Sequence, residues 1–362
     1  MEPIKVTFLP YESWRNPYQT ALAQALTSHG VRVQPAEAST LRQAITASRQ
    51  GELDIVHFHW VSAFTLSGTR LASMLKTSLF LTACRALKQH GVKIVWTIHN
   101  LYEHEQRDPD WEQRTNQRFF QLCNHVIVHC PRAIELVQRA YELPKHAGDR
   151  FGVIPHGHYR DQYPNKISRK VARSKIGIDP DDFVFLFFGQ IRPYKNINEL
   201  INAFDSLETQ QAQLLIAGEP AHDSLKSKIH SVAGDHSRIH TWLERVPDET
   251  IQNYMNAADV VVLPFRNILS SSTITLAMSF SKAVITPALG CSPDILAEQP
   301  ELLYDPEDAE GLQKAMRRSL SIDLVALGKN NLKNVLPFSW EVAAQFTAMT
   351  YKDCLRSNQA TA

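Results

Sequence analysis

Three short segments carry side chains whose types and spacing could do chemistry. Phe183–Phe188 runs into Gly189-Gln190-Ile191-Arg192-Pro193-Tyr194-Lys195-Asn196 and then into a helical pattern. A glycine at such a turn lets backbone approach a ligand closely, and Arg192 and Lys195, three residues apart at a helix mouth, can hold a diphosphate. An ordinary strand-to-helix turn would instead leave both cations in solvent. Farther on, Val260–Phe265 leads to Ser270-Ser271-Ser272-Thr273 at the start of another helical pattern, offering hydroxyls and unpaired backbone N–H groups to an anion. Serine and threonine also cap helices without any ligand. In the third segment, Lys93–His99 ends in Thr97-Ile98-His99-Asn100 and continues through Tyr102, Glu103, His104 and Glu105. A histidine at a strand's carboxyl end can hydrogen-bond a hydroxyl or donate to a phosphate, and a nearby carboxylate could take a proton from an acceptor hydroxyl. Of Glu103 and Glu105, the latter is assigned that role.

Metal chemistry finds less support. His57 and His59 lie two apart on a strand and so share a face, but no third ligand accompanies them, and a packed strand end is the better reading. The clusters Asp108-Pro109-Asp110, Asp179-Pro180-Asp181-Asp182 and Asp305-Pro306-Glu307-Asp308 sit in turns or ahead of helices, where Asp and Pro act as caps and turn formers. No catalytic metal and no cofactor are expected. Negative charge on a bound diphosphate would be met by Arg192, Lys195 and helix N-termini.

These segments need strands and helices to position them. Short β-branched or aromatic runs alternate with helical patterns from Ile4–Leu9 through Val31–Gln34, Ile55–Trp60, Lys93–His99 and His125–His129, the rhythm of a parallel sheet. A second series runs Phe183–Phe188, Gln213–Ala217, Arg238–Leu243, Val260–Phe265 and Ala283–Pro287, with helices near Ile197–Leu207, Asp223–Val232, Asp248–Ala258 and Ser272–Phe280. Between the two series, Lys166–Lys175 holds five basic residues and no acid, which reads as a linker. The expectation is therefore an α/β chain of two Rossmann-like, doubly wound domains. Residues 1–165 form the first, with a returning helix 339–357 capped by Ser339; residues 176–337 form the second, and 166–175 link them. Two such domains facing each other would leave a cleft lined by the carboxyl ends of both sheets.

Length and composition agree with that division. A chain of 362 residues is long for one domain and comfortable for two. With 44% hydrophobic and 21% charged residues, and 38 basic against 37 acidic side chains, it is neither disordered nor a nucleic-acid-coating protein. Five cysteines in no C-x-x-C pair suggest neither a disulfide framework nor a zinc cluster and fit a reducing cytoplasm. The N-terminus is too short and interrupted to read as a signal peptide, and no run approaches the ~20 apolar residues of a membrane span.

Several stretches together resemble the GT-B glycosyltransferases of the family 4 type, close to the bacterial exopolysaccharide hexosyltransferases. They are Phe187-Phe188-Gly189 through Lys195 to Ala203-Phe204, Leu214-Leu215-Ile216-Ala217-Gly218, Val246-Pro247-Asp248-Glu249, Ala257-Ala258-Asp259 through Pro264, and Phe338-Ser339-Trp340-Glu341. The resemblance covers nearly the whole chain. It implies a nucleotide-diphosphate sugar, GDP- or UDP-linked, held mainly by the second domain at Gly189, Arg192, Lys195, Val246, Ser271, Ser272 and Thr273. It also implies a saccharide or lipid-linked acceptor held mainly by the first domain, at Tyr11, Trp14, Asn100 and His104, and a last helix that crosses back to the first domain. His99 resembles the histidine of the family's Thr-x-His segment, which faces the donor sugar, so His99 and Glu105 are the expected catalytic pair.

The departures from the family pattern are specific. Two glutamates eight residues apart usually precede an Ala-Met-Ala-like segment; aligned on Ala277-Met278-Ser279-Phe280, those places hold Ile268 and Leu276. Neither can accept a sugar hydroxyl proton, so other groups must hold ribose and sugar. The usual phosphate arginine after the glycine is Gln190, with Arg192 as a displaced substitute, and Tyr11–Tyr18 replaces the glycine-rich loop after the first strand. Between Asp54 and Glu103 there is no acidic residue, while Arg70, Lys76, Arg85, Lys88 and Lys93 occur there and Leu71, Leu75 and Leu79 repeat at helical spacing. Such a helix could rest on an anionic membrane surface and present a lipid-linked acceptor, or be a core helix with solvated cations. The expected activity is hexose transfer in polysaccharide or glycolipid synthesis in the cytoplasm, with attachment to the inner face of the plasma membrane as the membrane-bound form. A sugar-nucleotide epimerase and a catalytically silent sugar-nucleotide binder are the alternatives; no nucleic-acid partner is expected.

Overall fold

A computed structural model describes residues 2–11, 16–34, 40–103, 108–207, 209, 211–234 and 236–356. The chain forms two compact units, Met1–Gly157 with Phe338–Ala362, and His158–Pro337. The first holds a parallel sheet of β1 (Ile4–Leu9), β2 (Val31–Val33), β3 (Ile55–Phe58), β4 (Lys93–Thr97), β5 (His125–Val128) and β6 (Phe151–Val153), in the order β2-β1-β3-β4-β5-β6. The second repeats the plan with β7 (Phe183–Phe188), β8 (Ala212–Ala217), β9 (Ile239–Trp242), β10 (Val260–Val262), β11 (Ala283–Pro287) and β12 (Leu303–Tyr304), in the order β12-β11-β10-β7-β8-β9. Every strand of β3, β4, β10 and β11 is buried along its whole length, because crossover helices cover both faces of a parallel sheet. That is why these strands read as continuous apolar runs. In the first unit Phe58, Phe80 and Phe119 meet with ring centroids 5.0–5.4 Å apart beneath the sheet.

Strand order reverses once in each sheet, between β1 and β3 and between β7 and β10. Open α/β sheets bind ligands outside the carboxyl ends of the strands at such points. The expected strands reach to Trp60, His99 and Phe265, but β3, β4 and β10 stop earlier, so His59, Trp60, His99 and Phe265 lie in the loops at those ends. Two strands that the sequence pattern does not mark, β6 and β12, have three and two residues and are fixed by pairing with β5 and β11. The expected helix Asp248–Ala258 is a 3-10 turn, Asp248–Thr250, followed by the helix Ile251–Ala257.

The segment expected to be a free basic linker is instead part of the second unit. Arg169–Ile176 is a helix capped by Ser168, whose hydroxyl accepts from the Val171 N–H at 3.3 Å. Its Arg173 is fully buried. The guanidinium donates to Asp259 Oδ2 at 2.7 Å and to the carbonyls of Ala257, Pro180 and Asp182 at 3.0, 2.7 and 2.6 Å. Asp259 also pairs with Arg169 at 2.6 Å and accepts from the Val184 N–H at 2.8 Å. A charge run is thus a staple, because one buried cation finds a half-buried carboxylate just before a distant strand. The last helix, Trp340–Arg356, belongs to the first unit and packs on Tyr18–Leu26, with Ser339 accepting from the Val342 N–H at 3.2 Å. Where Trp340 lies against Gly157, a Cβ on that glycine would stand 2.4 Å from the indole, so the contact requires glycine.

Replacing Arg173 with alanine leaves Asp259 and four carbonyls, those of Ala257, Asp179, Pro180 and Asp182, short of a donor. The second unit should lose about 3 kcal/mol or more, the scale for breaking a buried ion pair from one side. Urea unfolding of the variant checks this, and a loss below about 1 kcal/mol contradicts the staple.

Candidate functional site

In the second unit the site grows from the register of β7 and β8, which pair in full from Phe183 with Ala212 to Phe188 with Ala217. Gly189 and Gly218 therefore leave the sheet side by side, and a Cβ on Gly218 would stand 2.0 Å from the Gly189 carbonyl oxygen. Only glycine allows this approach. A Cβ on Gly189 would in turn meet Thr273 Oγ1 at 3.3 Å and Lys195 Nζ at 3.5 Å, so a hydroxyl and an ammonium converge on the Gly189 backbone. Lys195 is buried, with Nζ 5.9, 6.0 and 5.7 Å from the ring centroids of Phe187, Tyr194 and Phe265. Burial first, and the neighbouring Arg192 charge second, push the Lys195 ammonium down to about 8.

The remaining residues expected to hold the donor are placed by their contacts. Arg192 Nε donates to Gln190 Oε1 at 3.2 Å, which links the displaced arginine to the residue standing in its usual place. Ser271 caps the helix Ser272–Ser279, its hydroxyl accepting from the Ile274 N–H at 3.4 Å, while Ser272 is half-buried in the first turn. Val246 is buried, so its side chain serves the core. Ile268 and Leu276, where the resemblance expects glutamates, are both buried apolar side chains.

In the first unit four histidines follow four neighbouring strands. His59 comes one residue after β3, His99 two after β4, His129 one after β5 and His156 three after β6. Because Thr97 of β4 pairs with Ile127 of β5, His99 arrives beside His129. The ring nitrogens form a chain: His129 Nδ1 to the Ile154 carbonyl at 2.9 Å, His129 Nε2 to His99 Nδ1 at 3.3 Å, and His99 Nε2 to His59 Nδ1 at 3.1 Å. His57 stands apart from that chain, bonded through Nδ1 to the Tyr351 hydroxyl at 2.6 Å and through Nε2 to Thr97 Oγ1 at 2.7 Å. Tyr18 closes the cluster, its ring 4.9 Å from His99, 5.0 Å from His156 and 5.2 Å from Trp340.

Desolvation is the first cause of the shift in every ring of this cluster. It holds His57 and His156 down to about 3 and lowers His59, His99 and His129, with neighbouring rings adding to the effect for His57, His59, His99 and His156. The cluster is neutral at pH 7. Loop 101–103 beside it is tied down: the Tyr141 hydroxyl donates to the Leu101 carbonyl at 2.5 Å, and the Glu103 N–H donates to Glu112 Oε1 at 2.7 Å.

The structure thus brings His99 together with His59 and His129, and Gly189 with Lys195 and Thr273. Tyr11 stands by the next helix, its hydroxyl 3.2 Å from Thr20 Oγ1, and Asn100 is half-buried next to His99. Trp14, His104 and Glu105 lie outside the described residues. The acidic clusters cap or turn: Asp108 accepts from the Trp111 N–H, Asp179 from Asp181 and Asp305 from Glu307. Among the described residues no three His, Cys, Asp or Glu side chains are grouped to hold a metal ion. Sequence reading missed His129, His156 and Tyr18 and took His59 for packing. A signal was present nonetheless, a histidine within three residues of the end of four strands, and it becomes legible once those strands are known to be neighbours.

Comparison with known proteins agrees with this division. Residues 168–333 match the family described as glycosyl transferases group 1, and residues 9–161 match glycosyltransferase family 4. A GDP-mannose:glycolipid 4-beta-D-mannosyltransferase from Xanthomonas campestris pv. campestris is 26% identical over 272 residues, 75% of this chain and 70% of that one. Among solved structures, sucrose-phosphate synthase from Thermosynechococcus elongatus superposes with a TM-score of 0.75 at 19% identity, covering 99% of this chain and 100% of that one. Anabaena HepE in complex with UDP and glucose gives 0.71 at 16% identity, over 97% and 100%.

The neutral histidines make the first unit acid-sensitive. Their folded values lie below the ordinary 6.5, so between those values the unfolded chain binds protons that the folded chain does not, and stability falls as pH falls. Each fully shifted ring contributes a slope of about 1.4 kcal/mol per pH unit below 6.5. Urea midpoints taken at pH 7.5, 6.5 and 5.5 should drop steeply over the last interval; a flat profile contradicts neutral burial.

Proposed function

The chain belongs to the GT-B glycosyltransferases of the family 4 type, and from that premise we propose that it moves a hexose from a GDP-linked sugar to a hydroxyl of a glycolipid in exopolysaccharide or glycolipid synthesis. The observation that carries the donor side is the buried Lys195, held with Thr273 against the bare backbone of Gly189 at the point where strand order reverses. A desolvated ammonium there gains most from a diphosphate, since both charges are paired away from water. Arg192 supplies the second cation, and Ser271, Ser272 and Thr273 place a helix N-terminus beside it. The choice of GDP over UDP, and of a glycolipid acceptor, is supported by the likeness to the mannosyltransferase over three quarters of this chain. Ile268 and Leu276 leave the sugar to be held without the usual carboxylates.

The acceptor side is supported by the 20-residue helix Arg70–Gln89. Phe80, Leu81, Cys84 and Leu87 are buried on one face, while Leu71, Leu75 and Leu79 are 78%, 63% and 63% exposed on the opposite one, with Met74 beside them. The helix is apolar on two sides, which is why its pattern looks blurred in sequence. Its cations are largely engaged locally: Lys76 donates to the carbonyls of Ala63 and Leu66, Lys88 to that of Leu122, and Arg70 pairs with Asp108. Peripheral attachment to a membrane would then rest on the leucines more than on charge. No helix among the described residues is long and apolar enough to cross a membrane.

Three measurements test these readings. Labelled GDP-mannose should yield product only when a glycolipid acceptor is added; conversion of the donor alone would mean epimerisation, and binding without turnover a silent protein. Donor affinity should fall as pH rises above about 8, because the free Lys195 loses its proton there while a bound diphosphate keeps it charged, and Lys195→Ala should remove that dependence. Leu75→Glu with Leu79→Glu should abolish sedimentation with liposomes, and high salt should not; salt-sensitive binding that survives the double variant contradicts the leucine contact.

A further inference from the structure

The histidine chain in the first unit has a direction that its hydrogen bonds dictate. The Ile154 carbonyl can only accept, so His129 Nδ1 carries a hydrogen. A neutral imidazole has one N–H, which leaves His129 Nε2 as an acceptor and makes His99 Nδ1 its donor. By the same step His99 Nε2 accepts from His59 Nδ1. All three rings are thereby fixed as Nδ1–H tautomers, and the chain ends in a bare lone pair on His59 Nε2. That atom is buried and has no hydrogen-bond partner. Leaving a buried polar atom unpaired costs about 1–3 kcal/mol, a cost that a ligand hydroxyl would relieve. His59 also stands beside the carboxyl end of β1, its backbone N–H donating to the Leu9 carbonyl at 2.8 Å, where strand order reverses.

We propose that His59 Nε2 is the base that takes the proton from the acceptor hydroxyl, with His99 and His129 as positioning residues that carry the resulting charge inward. This rests on reading the chain as a glycosyltransferase. As the acceptor oxygen bonds to the sugar anomeric carbon, the bond from that carbon to the diphosphate oxygen breaks and its electron pair leaves with the diphosphate. The hydroxyl proton passes to His59 Nε2. His59 can then release its Nδ1 proton to His99 Nε2, and His99 its Nδ1 proton to His129 Nε2, so the positive charge comes to rest on a ring bonded to the Ile154 carbonyl. No carboxylate is needed in this chain. The rings that face His59 are His57, stacked at 4.3 Å, His99, and the Phe8, Tyr18 and Trp60 rings at 4.9, 5.8 and 5.8 Å.

The experiment combines kinetics with imidazole nitrogen NMR of the full chain. His59→Gln keeps a polar group near the Nε2 position but cannot take a proton, and should lower kcat by about 10²-fold or more with donor KM and donor affinity unchanged. His129→Asn keeps a donor to Ile154 but cannot reach His99, and should move the acid limb of the kcat profile while lowering kcat less. In the wild type, His59, His99 and His129 should all show hydrogen on Nδ1. Turnover within about threefold of wild type in His59→Gln, or hydrogen on His59 Nε2, overturns the proposal. If His59→Gln does not fold, the wild-type tautomers and the His129→Asn profile decide it. A wild type that transfers no sugar from any nucleotide donor overturns the glycosyltransferase reading, and the base with it; a wild type that transfers sugar beside an unimpaired His59→Gln overturns the base alone.

Discussion

A parallel sheet covered on both faces leaves its carboxyl end as the place where polar side chains can gather without breaking the core. Both units obey this constraint. Their strands are filled with side chains such as Val184, Phe185, Leu186 and Phe187, each almost fully buried, and none of these can be exchanged for a reactive group without exposing a polar atom to hydrocarbon. Chemistry is therefore displaced to the residues just past the strand ends. Gly189 and Gly218 follow β7 and β8, and the histidines follow β3 to β6. Burial of the sheet also decides the electrostatics, because groups placed at its rim are already largely out of water.

That desolvation acts differently on the two units. In the second it depresses Lys195, whose ammonium lies among the rings of Phe187, Tyr194 and Phe265 and close to Gly189. In the first it suppresses charge on five histidines, and three of the rings, His59, His99 and His129, bond to one another. A neutral imidazole both donates and accepts, which lets a row of them form a directed chain where lysines or carboxylates would repel. The two rims thus differ in chemistry: a cation in the second unit and neutral rings that donate and accept in the first.

The staple at Arg173 shows how a local pattern can mislead. Five cations without an acid describe an exposed linker on composition alone, and Lys166, Lys170 and Lys175 are compatible with that. Arg169 and Arg173 differ because both meet Asp259, which lies 86 residues beyond Arg173 at the end of the helix before β10, and Arg173 is fully buried there. The helix Arg70–Gln89 teaches the converse. Its exposed leucines and buried Phe80 give a weak amphipathic signal in sequence, since two apolar faces cancel in any single-stripe reading.

What the sequence determined by itself was everything that depends on neighbours along the chain. Alternating apolar runs marked ten of the twelve strands, Ser339 marked the start of the last helix, and the glycine, arginine and lysine after Phe188 marked the turn proposed to hold the donor diphosphate. The replacement of two expected carboxylates by Ile268 and Leu276 was also visible there. Tertiary structure alone decided which of these residues meet. His59, His99 and His129 lie 30 to 40 residues apart, and only the order β3-β4-β5 and the register of Thr97 with Ile127 bring their rings into one chain. The direction of that chain depends on a single carbonyl at Ile154, contributed by a loop that follows a strand that the sequence pattern does not mark. Periodicity and turn chemistry are local properties of a chain, whereas a hydrogen bond between distant residues exists only after strand order has been chosen.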